Sequence, residues 1–566
     1  MASQTSSKDK LKPKLFSVMK NYSAGQFAKD LVSGIIVAIV ALPLSIALAL
    51  ASGVSPERGI YTAVVAGFLI SFLGGSRVQI AGPTAAFATI VAGIVAEKGM
   101  DGLIIATVIA GIMLILMGVF RLGNLIKFIP YTITTGFTAG IAVTILLGQV
   151  KDFLGLTYES GVANVETLDK VKNIFHYIGT LNWQACLIGV ICLAILILWP
   201  KLGKVGQLVP GSLIAVIAGI LMTKFIPLFA GVKTIETAYG AVPSGLPTFY
   251  FPQITLKSIT SEIGDGFTIA ILAAIESLLS CVVSDAMIGS KHRSNMELVA
   301  QGVGNIGSAL FGGIPATGAI ARTATNIKNG GRTPIAGMVH AIVLLLVLLF
   351  LMPYAGWIPM PTIAAILFMV AYNMCGWRTF VHLCKTAPKS DILVLALTFV
   401  LTVAFDLVVA IEVGMIVACF LFIKRMSDES EVRGWKYFDS DDDPDAIDLR
   451  VVPQQVRVYE ISGPMFFGVA ERLAEITLKD FTKVLVIRMR GVPALDATAM
   501  HSLEELYNRC QKNGVSMVFS HVNEQPMKTM EKDGFAEKIG KANFCDHIDD
   551  ALARANELLQ NGNEGI

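Results

Sequence analysis

Charged residues are scarce in this chain. They make up 16% of its 566 residues, whereas 54% are hydrophobic; an average soluble protein carries about 25% charged residues. The composition excludes an ordinary soluble protein and predicts a polytopic membrane protein. The formal net charge is only +2, so the charge balance gives no reason to expect a nucleic-acid partner.

Cysteine is sparse as well, and its eight residues include no C-x-x-C pair. Cys186, Cys192 and Cys419 lie inside apolar runs, which is typical of packed core residues rather than disulfides or zinc ligands. The sequence also lacks a nucleophile–base pair, a metal-ligand cluster and a phosphate-binding loop, so we predict no cofactor and no enzymatic activity. No short apolar segment with a cleavage site follows the polar N-terminus, and we expect no cleaved signal peptide.

Apolar stretches of near-spanning length, for which a full helix needs about 20 residues, occur in two sets of seven. The first set covers 30–52, 58–74, 82–96, 102–120, 131–149, 183–200 and 208–227. The second set covers 263–288, 297–312, 315–328, 334–353, 359–376, 390–405 and 407–424. The predicted fold is therefore an α-helical membrane domain of fourteen segments.

Basic residues in short loops favour the cytoplasmic side of a membrane. Lysines at positions 8, 10, 12, 14 and 20 lie ahead of the first predicted span. If this end is cytoplasmic, fourteen spans place every basic loop cluster in the cytoplasm as well. The pattern predicts cytoplasmic N- and C-termini in the plasma (inner) membrane, with outer loops at 151–180 and 229–261.

An odd number of spans in each half gives the two halves opposite orientations, as in many secondary transporters. Gly82-Pro83-Thr84 opens the third span of the first half, and Pro315-Ala316-Thr317 opens the third span of the second half. Proline fits the first turn of a helix or its extended lead-in. These matched segments predict two half-helices whose N-termini face each other, although ordinary proline kinks are the structural alternative. Two converging helix N-termini attract an anion.

Arg322 follows the second of these segments inside an apolar region. A charge at the centre of a bilayer costs about 2.5 to 3.5 kcal/mol on the lenient insertion scale, so a retained one indicates a functional site. We predict that Arg322 meets an anion. A structural ion pair or a side chain reaching the membrane surface is the alternative.

Glu276 is an isolated carboxylate in the apolar run of the eighth predicted span, and Ser280 lies four residues further along the same helix face. Its spacing before Pro315 nearly equals that of Pro43 before Pro83. We predict that Glu276 and Ser280 bind a coupling cation, either a proton or sodium; a structural partnership of Glu276 with Arg322 is the alternative. Glu412 in the last span has no matched half-helix, which favours a structural role.

Several motifs together resemble the SulP/SLC26 anion transporters over the membrane part and the tail. These motifs are Gly82-Pro83-Thr84, Glu276 to Ser280, Asn295 to Gly302, Asn305, Phe311 to Pro315, Ala321-Arg322-Thr323 and Gly331 to Pro334. The resemblance implies a 7+7 inverted repeat, with a core of spans 1–4 and 8–11, a gate of spans 5–7 and 12–14, elevator-type movement and a homodimer. It places the anion at Pro43, Leu44, Leu48, Pro83, Thr84, Ala85, Ile320, Ala321 and Arg322, and the coupling cation at Glu276.

Two positions depart from relatives of this family, since Leu44 stands where animal members often have glutamine and Ala321 where some have serine. The pocket therefore relies on backbone N–H groups and Arg322, which leaves sulfate, bicarbonate and dicarboxylates open. The leading expectation is cation-coupled sulfate uptake. The alternatives are a bicarbonate or dicarboxylate (fumarate or succinate) symporter, and an uncoupled exchanger or channel. A nucleobase permease would have acidic residues in both central spans, and Arg322 argues against it.

The composition changes after Arg425. We predict a transport domain over 28–425, with repeats 28–228 and 262–425, after a cytoplasmic segment 1–27. An acidic linker follows over 426–447; it lacks the spacing of a calcium loop. Alternating apolar residues then predict a small α/β domain over 448–566, in which Leu495 to Met500 resembles the STAS motif. Asp496 is expected to cap a helix. Thr498 matches the residue phosphorylated in anti-sigma-factor antagonists, which makes it the candidate for regulation or for binding a cytosolic partner; an unmodified threonine in the first helical turn is the alternative.

Overall fold

A computed structural model describes residues 11–124, 129–159, 166–203, 209–252, 255–405, 407–428, 430–434, 450–467, 473–474 and 476–561. The chain divides into two compact units between Met415 and Ile416. Most of the predicted acidic linker, 426–447, lies outside the described residues, as do Lys8 and Lys10.

The first unit is helical. Its main helices are α1 (Ala24–Ala51), α2 (Pro56–Leu73), α3 (Ala85–Val119), α4 (Tyr131–Leu154), α5 (Thr167–His176), α6 (Trp183–Leu198), α7 (Gly211–Phe225), α8 (Leu256–Ile288), α9 (Ser294–Leu310), α10 (Ile320–Lys328), α11 (Ile335–Phe350), α12 (Met360–Cys375), α13 (Trp377–Thr386), α14 (Lys389–Ala404) and α15 (Leu407–Asp428). Short helices occupy Lys14–Val18, Ile235–Tyr239 and Met352–Ala355. Every stretch predicted as a span is helical over at least part of its length. Helix α15 continues from the first unit into the second.

The helix lengths differ from a series of uniform spans. By length and composition, six helical segments of the described ranges could cross a membrane, while α7 and α11 are shorter apolar helices. Helix α3 covers two predicted spans. Gly99 lies between them and breaks the helix with φ 69° and ψ −168°, a positive φ that glycine tolerates best. Helix α10 is short because an extended segment occupies the start of its predicted span.

The helices of the first unit pack in two main groups. In one group, α9 and α8 pack along α3, α9 and α11 pack against α2, and α10 packs between α1 and α8. In the other, α4 packs against α12 and α14, and α6 packs against α12 and α7. The buried apolar core includes Leu48, Ala85 and Phe87 of the first group.

Two short strands cross the first group. Strand β1 (Ala81–Gly82) pairs antiparallel with β2 (Thr317–Gly318), in the register Ala81 with Gly318 and Gly82 with Thr317. Helix α3 begins three residues after β1 ends, and α10 begins two residues after β2 ends. The pairing therefore brings the beginnings of these two helices to one place.

The second unit contains a five-stranded sheet in the order β3 (Glu431–Gly434), β4 (Val456–Ser462), β5 (Val484–Gly491), β6 (Ser516–Ser520) and β7 (Phe544–Cys545). Strand β3 is antiparallel to β4, and the other pairs are parallel. Helices α16 (Ala497–Lys512) and α17 (Glu524–Asp533) and the short helix Phe535–Ile539 contribute to the core on one face, and α18 (Ile548–Asn561) covers the other. The predicted α/β tail is present, and its strands β4 and β5 begin where alternation and the apolar run predicted them.

Candidate anion site

The N-termini of α3 and α10 lie beside each other across the β1–β2 pair. Thr84 precedes α3 and Ala319 precedes α10, and both have extended backbones. The Ala319 N–H donates to the carbonyl oxygen of Ile80 at 2.9 Å, which extends the pairing by one bond. The first N–H groups of a helix have no partner within the helix, and each N-terminus carries roughly half a positive charge. Pro83 and Pro315 lie in the extended lead-ins, as predicted.

Arg322 is the third residue of α10, and its side chain is only 3% exposed. Its Nη2 donates to the carbonyl oxygen of Pro83 at 2.8 Å. Its Nη1 is buried without a hydrogen-bond partner among the described residues. No ion pair joins Arg322 to Glu276 in that part of the chain. A buried, unsatisfied cationic donor beside two helix N-termini is suited to an anion.

Gly82 leaves space for the guanidinium group. A Cβ atom placed on Gly82 would lie 2.4 Å from Nη1 of Arg322, well inside van der Waals contact. The last residue of β1 must therefore lack a side chain for Arg322 to occupy its observed place.

Glu276 lies on α8 and is half-buried. It accepts a hydrogen bond of 2.9 Å from Oγ1 of Thr84, the residue that precedes α3. The Ser280 hydroxyl is buried and has no hydrogen-bond partner among the described residues. The carboxylate is thus joined to the start of α3 by Thr84, whereas no hydrogen bond joins it to Ser280 there.

The residues predicted from the family to contact the anion lie on helices that pack together. Pro43, Leu44 and Leu48 belong to α1, which packs against α3 and α10. Leu44 and Thr84 are half-buried, whereas Ile320 and Ala321 at the start of α10 are exposed. The structure therefore brings this set and Glu276 into one neighbourhood, with part of it accessible.

Polar side chains hold the two extended lead-ins, and sequence reasoning missed most of them. Before β1, the Asn326 side chain donates to the carbonyl oxygen of Val78 at 2.8 Å, and the Ile80 N–H donates to Oγ1 of Thr323 at 3.0 Å. Buried Glu297 accepts from Nε2 of Gln79 at 2.9 Å. These bonds replace the ladder partners that an isolated extended segment lacks.

The lead-in to β2 is held in the same way. The Ala316 N–H donates to Oδ1 of Asn305 at 2.8 Å, and the Ile314 N–H donates to Oγ1 of Thr62 at 2.7 Å. The Gly318 N–H donates to Oγ of Ser277 at 3.2 Å. The sequence signal for these residues was the presence of polar side chains in apolar stretches. That signal does not identify their hydrogen-bond partners, because the partners are distant in the sequence.

No three His, Cys, Asp or Glu side chains of the described residues come together as ligands for a metal ion. In the second unit, Oδ1 of Asp496 accepts from the Ala499 N–H at 2.8 Å, which is the predicted cap of α16. Its Oδ2 accepts from the Phe467 N–H at 3.1 Å. Thr498 is exposed in the first turn of α16.

Residues 27–398 match the sulfate permease family, and residues 447–551 match the STAS domain. A putative sulfate transporter of Bacillus subtilis is 41% identical over 94% of this chain and 98% of its own length. A bicarbonate transporter of a Picosynechococcus species is 30% identical over 84% of this chain and 85% of its own length.

Two solved structures are similar to this one. The transmembrane domain of a cyanobacterial bicarbonate transporter gives a TM-score of 0.61 at 28% identity, over 70% of this chain and 98% of that chain. The murine Solute Carrier 26 family member A9 anion transporter, in its inward-facing state, gives a TM-score of 0.85 at 17% identity, over 98% of this chain and 96% of that one. The second likeness concerns the fold alone.

Proposed function

The chain belongs to the sulfate permease family of anion transporters, and on this premise we propose that it is a secondary active transporter for the uptake of sulfate together with a cation. The cation is a proton or sodium, and the site of action is the plasma (inner) membrane. Sulfate is the leading substrate because a relative with 41% identity is described as a putative sulfate transporter.

One observation carries the proposal, namely the meeting of two helix N-termini at Arg322. The helices α3 and α10 supply N–H groups and two positive dipole ends, and Arg322 supplies a full charge with one unsatisfied buried donor. A dianion such as sulfate can accept from all of these groups at once. The anion then lies among Leu44, Leu48, Thr84, Ile320 and Ala321, with Pro43, Pro83 and Ala85 shaping the backbone around it.

Coupling is assigned to Glu276, with Ser280 as an additional oxygen. The hydrogen bond from Thr84 joins Glu276 to the residue that opens α3. A cation on Glu276 offsets the negative charge of the carboxylate close to the place where the anion binds. Without a bound cation, the charge of the Glu276 carboxylate disfavours binding of the anion. With a cation bound to Glu276, this repulsion is offset and the anion binds.

The proposed transport cycle uses fourteen spans in a 7+7 inverted repeat, with repeats at 28–228 and 262–425. The matched places of β1 and β2, each before the third span of its half, support the repeat. The two packing groups of helices agree with the core and gate that the family resemblance implies. The core moves against the gate like an elevator and carries anion and cation together, in a homodimer with cytoplasmic termini.

The STAS domain, 448–566, has a regulatory role in this proposal. Asp496 caps α16 and so fixes its first turn, and Thr498 in that turn is the residue open to modification or to a cytosolic partner.

Bicarbonate uptake is the second candidate function. Two curated relatives with 30% identity are described as bicarbonate transporters, and the backbone donors around Arg322 do not by themselves select one oxyanion. Fumarate and succinate remain alternatives, as does uncoupled exchange or channel activity, in which Glu276 would be structural.

The deciding experiment is a counterflow screen in reconstituted vesicles. Radiolabelled sulfate, bicarbonate, fumarate and succinate are compared with and without proton and sodium gradients. Sulfate should exchange fastest, and a gradient of one cation should drive its accumulation. Glu276→Gln should abolish accumulation while the protein elutes normally from a sizing column. Normal accumulation by Glu276→Gln, or transport that ignores both gradients, rejects the coupled mechanism.

A further inference from the structure

The segment that leads into α1, residues 11–23, carries apolar side chains that the protein does not cover. It contains the short helix Lys14–Val18. Leu15 packs inward and is 6% exposed. Three other apolar side chains of the segment are 44% to 48% exposed, namely Leu11, Phe16 and Met19. The segment therefore has a buried side and an apolar side that is open to its surroundings.

Hydrogen bonds fix this segment to the helices of the first packing group. The Lys14 N–H donates to the carbonyl oxygen of Gly74, directly after α2, at 2.8 Å. Arg293, in the loop between α8 and α9, donates from Nη1 to the carbonyl oxygen of Lys12 at 2.8 Å and from Nη2 to Oγ of Ser17 at 2.9 Å. The exposed side chains are thus held in a defined place at the ends of α2 and α8.

A row of aromatic rings relates the segment to the membrane. Phe68 and Phe72 lie one turn apart on α2, and their stacked rings are 6.4 Å apart between centroids. The Phe16 ring meets the Phe72 ring edge to face at 6.2 Å. Phe72 is 36% exposed and belongs to the stretch 58–74, which is predicted to span the membrane. The exposed side of this row therefore faces lipid, and Phe16 continues it where the span ends.

The same part of the chain is basic. Residues 11–29 contain four lysines and no acidic residue. Lys12 and Lys20 are exposed, and neither is paired with a carboxylate among the residues that the structure describes. The acidic residues nearby are already engaged, since Asp30 is buried and accepts from a threonine hydroxyl, and Asp285 is bonded to a histidine of the α8–α9 loop. The surface thus combines apolar side chains with uncompensated positive charge.

We propose that residues 11–23 form a binding surface for the headgroups of anionic phospholipids. Leu11, Phe16 and Met19 enter the edge of the hydrocarbon layer, and Lys12 and Lys20 meet the lipid phosphates. Apolar side chains flanked by lysines are typical of segments that lie in the membrane interface, and lysines next to a span on its cytoplasmic side attract anionic lipids. The proposal uses the cytoplasmic N-terminus of the proposed topology but does not depend on the transported anion.

The position of the surface favours lipid over a soluble partner. Phe16 lies in line with rings of α2 that face lipid, so the bilayer reaches this side chain without any rearrangement of the protein. Through Arg293, the bound lipid also holds the loop that follows α8.

Hydrogen exchange with mass spectrometry on the full-length protein in nanodiscs tests the surface independently of transport. Nanodiscs of phosphatidylcholine are compared with nanodiscs of phosphatidylcholine and phosphatidylglycerol in equal parts. Amide exchange of residues 11–23 should be about fivefold slower in the mixture at low salt, the effect of one lysine–lipid contact. The difference should disappear at about 1 M salt, where the screening length is about 3 Å.

A double variant locates the effect. Lys12→Gln combined with Lys20→Gln should remove the difference between the two kinds of nanodisc. The matched control combines Lys172→Gln with Lys257→Gln, which removes two exposed lysines of the predicted outer loops and should leave the difference intact. Loss of the difference in this control as well would trace it to net charge and overturn the proposal.

Other results would also overturn it. Equal exchange of residues 11–23 in both kinds of nanodisc shows that anionic lipid does not bind there. Equally slow exchange in phosphatidylcholine after addition of inorganic phosphate indicates a site for free phosphate instead of a membrane surface. Equally slow exchange in lipid-free detergent shows that a second copy or another part of the chain covers the segment. If the double variant does not fold, the salt comparison on the wild type and Lys20→Gln alone give the answer.

Discussion

The guanidinium group of Arg322 donates to the carbonyl oxygen of Pro83 across a sequence separation of 239 residues. One nitrogen of the same group fixes the first lead-in, and the other remains unsatisfied among the described residues. We therefore propose two separable tasks for Arg322: Nη2 orients the start of α3, and Nη1 donates to the anion.

We expect Arg322→Ala to weaken sulfate binding by tenfold or more, because a lost hydrogen bond from a charged group costs about 1.5 to 3 kcal/mol. Arg322→Lys keeps the charge but has no planar fork to serve Pro83 and the anion together, so its loss should be intermediate. The half-saturation concentration in counterflow measures both variants. Equal affinity in Arg322→Ala and the wild type would reject the anion-binding role.

Thr84→Val should reduce proton- or sodium-driven accumulation more than it reduces counterflow, since it removes the donor to Glu276 while keeping the shape of the side chain. Thr84→Ser retains the hydroxyl and should retain coupling. The ratio of the accumulated to the external anion concentration, measured at equal protein density, separates the two variants. Equal coupling in all three proteins would show that the Thr84–Glu276 bond has no part in it.

Gly82→Ala should impair anion affinity about as much as the loss of Arg322, because the new methyl group would lie 2.4 Å from Nη1. Gly93→Ala is a suitable control within α3, since a Cβ atom there would meet nothing within 4 Å. The control should be neutral or stabilise the helix by up to about 1 kcal/mol. Half-saturation concentrations and thermal unfolding of the purified variants check the pair; similar behaviour of both would contradict the argument.

Asp496→Ala should destabilise the start of α16 by about 1 kcal/mol, because Asp496 accepts from the Ala499 N–H and so caps the helix. The same loss corresponds to roughly fivefold faster amide exchange in the first turn. Asp496→Asn preserves a capping oxygen and should exchange nearly as slowly as the wild type. Hydrogen exchange with mass spectrometry on the full chain gives the comparison. Unaltered protection of α16 in Asp496→Ala would show that the cap contributes little.

The positions of prolines, glycines and apolar stretches predicted much of the fold. Pro83 and Pro315 mark the extended lead-ins, and the apolar stretches mark the helices. Gly99 falls between the predicted third and fourth spans. The similarity to the SulP/SLC26 transporters and to STAS domains, read from motifs, is confirmed, and so is membership of an anion transporter family.

Long-range partners could not be predicted from the sequence in the same way. Helical spacing placed Ser280 beside Glu276, but the hydrogen bond to Glu276 comes from Thr84, 192 residues away. The side chains of Gln79, Thr62 and Asn326 are unremarkable in the sequence, and only the packing of distant helices shows that they replace missing backbone partners. The direction of each polar side chain depends on tertiary contacts that local periodicity does not contain.

The pairing of β1 with β2 also bears on how the protein is made. During synthesis β1 is inserted long before β2 exists, and backbone groups exposed to lipid without a partner are strongly disfavoured. Until Thr323 and Asn326 arrive, the Ile80 N–H and the Val78 carbonyl oxygen lack the partners that they have in the finished fold. The first half of the chain is therefore an incomplete folding unit that depends on water or on the insertion machinery to shelter its extended segment until the second half is in the membrane.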